Sequence, residues 1–308
     1  MDEVRFDRMV PSQVRERRQA RDMAYLPVGS LEWHGPHMPF GTDYLTVDYL
    51  AQEAARRFGG VVFPPVYYGD VRYMLQECRP EWRQSASRDL EVPADWVAAF
   101  GYEHHEVGPP EPSPNAAADG PEPEHALGLS LPEMELYFSM HLARLLLEMH
   151  LYGFRNIILM PGHGPNPKYC QAAETIYREN VRRYSAFGEP ARTMTWFYIT
   201  AAYDAEPLLK QFWIHADKWE GSLTMVAAPG TVHLDLLPED RDTLVPAYLG
   251  KPYLTETEGY SPEYQHLWEG FDTLDPRNDT NEEYGRAQWE QILVTMGEVV
   301  GEFIVGDK

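Results

Sequence analysis

Two short segments concentrate the side chains that could do chemistry. Gly29-Ser-Leu-Glu32-Trp-His34-Gly-Pro-His37-Met-Pro-Phe-Gly41-Thr-Asp43 carries a carboxylate, an imidazole and a second carboxylate on one Pro- and Gly-rich stretch. Pro161-Gly-His163-Gly-Pro-Asn166 supplies a further imidazole. Mixed carboxylate and imidazole donors suit Zn²⁺ or Mn²⁺. The Glu-x-His alternation lets two side chains of one extended loop address neighbouring ions, and an aspartate such as Asp43 can bridge them. Because Glu-x-His is also common by chance, where the elements put these residues matters as much as what they are.

Each segment directly follows a predicted strand. Met23-Ala-Tyr-Leu-Pro-Val-Gly29 is a short apolar run, and Asn156-Ile-Ile-Leu-Met160 is apolar throughout after its first residue. Further strands are expected at 60–64 and 192–200, and helices at 12–22, 44–58, 132–152, 167–184 and 284–302. Strands alternating with helices, several of them apolar on both faces, indicate an α/β fold with a mostly parallel sheet covered on both sides. In such sheets ligands bind beyond the carboxyl ends of the strands, which is where Glu32, His34, Asp43 and His163 would lie.

Residues 79–129 break the pattern. They include the low-complexity tract PPEPSPNAAADGPEPE, which cannot supply a packed core. The expectation is a single domain over 1–308 with 79–129 inserted into it, either as a lid or as a surface loop.

Of the 308 residues, 44% are hydrophobic, enough for a proper core, while the formal charge of −22 disfavours any partner that must be gripped by its phosphates. Nucleic acid and anionic membranes are therefore not expected partners. Cys78 and Cys170 form no framework and no zinc-finger spacing. The first residues are charged and lack an apolar signal region, and no stretch reaches the roughly 18 apolar residues that span a bilayer. A cytoplasmic location is the expectation.

Leu26-Pro-Val-Gly-Ser-Leu-Glu-Trp-His-Gly-Pro-His-Met-Pro-Phe-Gly-Thr-Asp43 resembles the opening motif of the creatininase (creatinine amidohydrolase) family. The likeness continues through Pro64-Pro-Val-Tyr-Tyr-Gly69, through 153–166, which is similar to the family's Asn-Gly-His-Gly-Gly-Asn loop, and through Asp275–Gly285. It implies a three-layer α/β/α fold, a homo-oligomer such as a hexamer, and two divalent ions per subunit, Zn and/or Mn. It also implies that Glu32, His34, Asp43 and His163 are ligands. Trp33 stands for the usual Gln, Pro161 for the Asn, and Pro165 for a position that is a metal-binding Glu in creatininase itself. His215-Ala-Asp-Lys-Trp-Glu-Gly-Ser222 resembles the family's His-Ala-Gly-x-x-Glu-Thr-Ser segment, which offers Glu220 as the replacement ligand and His215 as the acid/base, with Asp217 and Gly221 departing from the pattern.

The resemblance implies a metal-dependent hydrolase in which activated water attacks the carbonyl of a small cyclic amide or related compound, and His215 protonates the leaving group. Two alternatives stay open: a C–C bond hydrolase of a cyclic diketone such as an oxidised inositol, and a non-catalytic binding or assembly module. Other histidines read more plainly. His37 suits a supporting hydrogen bond, His104, His105 and His125 fall in the insertion, and His141 and His150 suit packing or surface roles on a helix. Tyr67, Tyr68 and Trp219 could line a pocket, although such aromatics are more often core or subunit contacts.

Overall fold

Ala24–Val28 forms strand β1, and all five of its residues are buried, as an apolar run between two helical layers must be. In the computed structural model, which describes residues 3–32, 34–69, 131–205, 216–237, 239 and 275–305, β1 follows helix α1 (Pro11–Ala20) and leads through the first chemical loop into α2 (Thr42–Phe58). Strand β2 (Val61–Val62) comes next. After the undescribed residues 70–130 come α3 (Leu131–Leu151), β3 (Asn156–Pro161), α4 (Asn166–Arg183) and β4 (Arg192–Thr195). Helices α5 (Tyr198–Ala205), α6 (Lys218–Ala227) and α7 (Glu282–Val305) complete the described elements. The expected insertion over 79–129 and its histidines lie outside the described residues.

The four strands are all parallel, in the order β2-β1-β3-β4. Alternation along β1 and β3 divides the core in two. Ala24, Leu26, Val28, Ile157 and Leu159 face α3 and α4, while Tyr25, Ile158 and Met160 face α2, α6 and α7. Helix α2 buries Val47, Leu50, Ala51, Ala54 and Ala55, the spacing of a single helical face. Pro27 sits in a central strand without breaking it. Its carbonyl accepts from Val66 N–H, so the side on which it lacks a donor faces the chain beyond the end of β2.

The structure shortens one expected strand. Residues 192–200 divide into β4, ending at Thr195, and α5, beginning at Tyr198. Aromatic, β-prone residues at 196–198 are claimed by packing: Tyr198 lies between the indoles of Trp219 and Trp289, at centroid distances of 6.1 and 5.9 Å. Among the described residues, no helix is long and apolar enough to cross a membrane.

Register places the two chemical loops side by side. Val28 pairs with Pro161, so β1 and β3 end together and their loops leave the same edge of the sheet. Gly162 N–H donates to Val28 O at 2.8 Å. A Cβ at Gly162 would lie 2.1 Å from the Asp43 carbonyl oxygen, so only glycine allows the second loop to run against the start of α2.

Candidate metal centre

Asp43 occupies the first turn of α2, where a carboxylate also suits the positive end of the helix dipole. Its two oxygens face different imidazoles. Oδ1 lies 3.3 Å from His34 Nε2, and Oδ2 lies 3.0 Å from His163 Nδ1. Each imidazole meets one further carboxylate: Glu220 Oε1 is 3.6 Å from His34 Nε2, and Glu32 Oε2 is 3.0 Å from His163 Nδ1. Two donor groups result, Glu32/Asp43/His163 and His34/Asp43/Glu220, each with its ligand atoms within 4.8 Å of one another and both sharing Asp43.

The residues fit a pair of divalent cations. Three carboxylates drawn together with little solvent contact demand positive charge nearby, because a buried unpaired anion is costly. His34 Nδ1 lies 3.0 Å from the Glu32 carbonyl oxygen, which fixes Nδ1 as the protonated nitrogen of the neutral ring and turns the lone pair of Nε2 toward the acids. One residue thus contributes its backbone to orient His34 and its side chain to the neighbouring half.

Without metal, protons substitute for the cations. Burial pushes His163 down, but the Glu32 and Asp43 carboxylates overcome it and raise the ring to about 10. Burial likewise opposes the charge on His34, yet Glu220 and Asp43 hold it well above the ordinary imidazole value. Asp43 is held low against its burial by the two rings. Ligand protons must therefore leave when metal enters.

The five residues proposed from the sequence as ligands, Glu32, His34, Asp43, His163 and Glu220, come together here. His215 and Trp33 lie outside the described residues. His37 is buried within the same loop, and its carbonyl accepts from His233 N–H at 2.8 Å. Trp219 is packed in the core: it is 3% exposed, stacks on Tyr198 and donates its indole N–H to Gln288 Oε1. Tyr67 and Tyr68 are exposed, with Tyr67 edge-on to Tyr44. His150 is packed inside, against Tyr177 and the Phe187 carbonyl.

Two supporting residues were not read from the sequence. Asn166, fully buried at the start of α4, donates from Nδ2 to both Val28 O and Gly29 O, and its own N–H donates to His163 O. One asparagine thereby ties both ligand-bearing loops. Asp217 precedes α6 and accepts the Glu220 N–H at 2.8 Å through Oδ1, while burial and then the Glu220 charge push its carboxyl well above the usual range. The spacing Asp217-x-x-Glu220 is a capping pattern that could have revealed both the start of α6 and this contact.

Comparison with known proteins agrees with this fold. The creatininase (creatinine amidohydrolase) family model matches residues 7–76 and 129–298. A 3-dehydro-scyllo-inosose hydrolase of Thermotoga maritima is 41% identical over 66 residues, 21% of each chain. A mycofactocin precursor peptide peptidase of Mycolicibacterium smegmatis is 43% identical over 53 residues, 15% of this chain and 22% of that one. The matched segments thus span only about a fifth of each curated relative. Among solved structures, a creatininase variant of Zn-Zn type superposes with a TM-score of 0.60 at 18% identity, covering 97% of this chain and 98% of the other. A manganese form of creatininase gives 0.59 with the same identity and coverage. At that identity the likeness is one of fold.

Proposed function

This chain belongs to the creatininase family of hydrolases, and from that premise we propose that it is a two-metal enzyme whose Zn and/or Mn ions are held by Glu32, His34, Asp43, His163 and Glu220. The observation that carries the reading is the division of the Asp43 carboxylate between His163 and His34, each with its own second carboxylate. Divalent ions bound there would supply an activated water and polarise a carbonyl oxygen. The chain's contribution is to fix the donors. The loops that follow β1 and β3 hold Glu32 and His163, the first turn of α2 holds Asp43, and the Glu32 carbonyl sets the tautomer of His34. His215 is assigned as the proton donor to the leaving group, an imidazole being able to carry that proton near neutral pH.

The substrate class we favour is a small cyclic amide or related carbonyl compound, acted on by a single domain with 79–129 as an insertion, which the family match also skips. The match to the inosose hydrolase supports a second reading, a C–C bond hydrolase of a cyclic diketone such as an oxidised inositol. Turnover by Zn- and Mn-loaded protein of a cyclic amide panel against cyclic diketones decides between them. Amide opening supports the first reading and diketone cleavage the second. A loaded protein inert toward both sets removes both, and the non-catalytic binding module then takes their place. Homo-oligomeric assembly belongs to the same proposal and is read from the solution mass.

A further inference from the structure

Glu220 reaches the centre differently from the other four residues. They belong to the loops leaving the sheet edge or to the first turn of α2, whereas Glu220 sits in the first turn of α6, an element that arrives from elsewhere in the sequence. The position of α6 is set by α7. Trp289 donates its indole N–H to Leu223 O, and a Cβ on Gly285 would lie 2.1 Å from Ser222 O, so the two helices touch backbone to backbone. That contact fixes the helix axis but not the direction of the Glu220 side chain.

Two contacts at the start of α6 supply the direction. Asp217 Oδ1 accepts the Glu220 backbone N–H at 2.8 Å, and the Ala216 N–H donates to Glu220 Oε2 at 2.7 Å. Backbone and carboxylate of the same residue are therefore held from two successive positions. Ala216 is fully buried and adopts φ +57°, a left-handed conformation that alanine rarely takes and that persists only where surroundings enforce it. Glu220 Oε1 then lies 3.6 Å from His34 Nε2. Asp217 is itself 1% exposed, and among the described residues its Oδ2 accepts no hydrogen bond, so the Glu220 N–H contact is made by Oδ1. The glycine that the resembled family segment carries here has no side chain with which to make it.

Resting on the two-metal reading above, we infer that Asp217 is a positioning residue: it caps α6 so that Glu220 is aimed at His34 and completes the His34/Asp43/Glu220 half of the centre. The other half is independent of it. The contact needs an acceptor oxygen at Oδ1 and no second one, so asparagine serves and alanine does not.

The test is metal titration of the full chain, stripped by chelator and reloaded with Mn²⁺ or Zn²⁺ in equilibrium dialysis, with melting of the metal-free proteins alongside. The parent takes up two ions. Asp217→Ala binds one ion as the parent does and the other about 10–100-fold more weakly, the usual effect of removing a group that orients a ligand. Asp217→Asn returns both affinities to within a few-fold of the parent. Equal affinities in the parent and Asp217→Ala overturn the inference. So does an equal weakening of both ions together with a lower metal-free Tm, since that is the mark of a merely structural cap. If Asp217→Ala does not fold, Asp217→Ser, which keeps a capping oxygen at shorter reach, must show the same selective weakening in smaller degree. A parent chain that takes up no ion overturns the metal reading itself.

Discussion

The two halves of the centre share Asp43 but are built by different means. Glu32 and His163 stand at the ends of adjacent parallel strands, where sheet register, the Gly162 contact with α2 and the two hydrogen bonds from Asn166 fix their loops. Glu220 is carried by a separate helix and aimed by a capped, left-handed turn. The first half inherits the rigidity of the sheet, and the second depends on how α6 docks.

Asp43→Ala should have the largest effect, because it removes the donor common to both halves. Hydrolysis is expected to fall about 100- to 1,000-fold, while circular dichroism keeps the parent's overall helical signal. Activity within tenfold of the parent would break the shared-donor picture. Glu220→Gln comes next. It should leave the Glu32/Asp43/His163 half filled and reduce bound metal from two ions to one, read by elemental analysis after dialysis. Loss of both ions would mean that the halves are not separable.

Asn166→Asp tests the sheet-edge half through its frame rather than its ligands. A carboxylate oxygen would then face the Val28 and Gly29 carbonyls, with the donated hydrogen bonds gone. The metal-free protein is expected to lose about 1–3 kcal/mol, seen as a lower urea midpoint. An unchanged midpoint would show that the loops are held by other contacts. The remaining prediction concerns pH dependence. His34 and His163 are raised in the metal-free fold, so their contribution to stability is complete below about pH 6.5; that of His163 is lost as pH rises toward about 10, and that of His34 as pH rises through its own raised value. Metal loading should reverse this trend, since deprotonated rings bind tighter, and urea melts across pH 6–10 with and without Mn²⁺ would show it. A metal-free protein that grows more stable across that range contradicts the charge pattern.

Much of the sheet-edge half was legible in the sequence, because strand, loop and ligand types are contiguous there. Apolar runs at 23–29 and 156–160 place Glu32, His34 and His163 at strand ends, and β1 and β3 indeed span 24–28 and 156–161. Glu220, the ligand carried by α6, was legible only through resemblance. The pattern before Glu220 gives no strand reading, and the Asp217-x-x-Glu220 signal is short. In the sequence Trp219 suits either pocket or core because it adjoins Glu220; neighbours along a helix face different ways, and Trp219 packs in the core while Glu220 meets His34. The extent of β4 was misjudged for a related reason: Tyr198 looks like a strand residue, yet its ring is held between Trp219 and Trp289, contacts that no local pattern reports. Asn166 escaped notice because its partners, Val28 and Gly29, are remote in sequence and adjacent only once β1 and β3 pair.

The most direct test of a bridged centre is anomalous diffraction from crystals of the full chain grown with Mn²⁺ or Zn²⁺. Two peaks should flank the Asp43 carboxylate about 3.5–4 Å apart, one among Glu32, Asp43 and His163 and the other among His34, Asp43 and Glu220. A single peak, or peaks that leave Asp43 uncoordinated, would contradict the account.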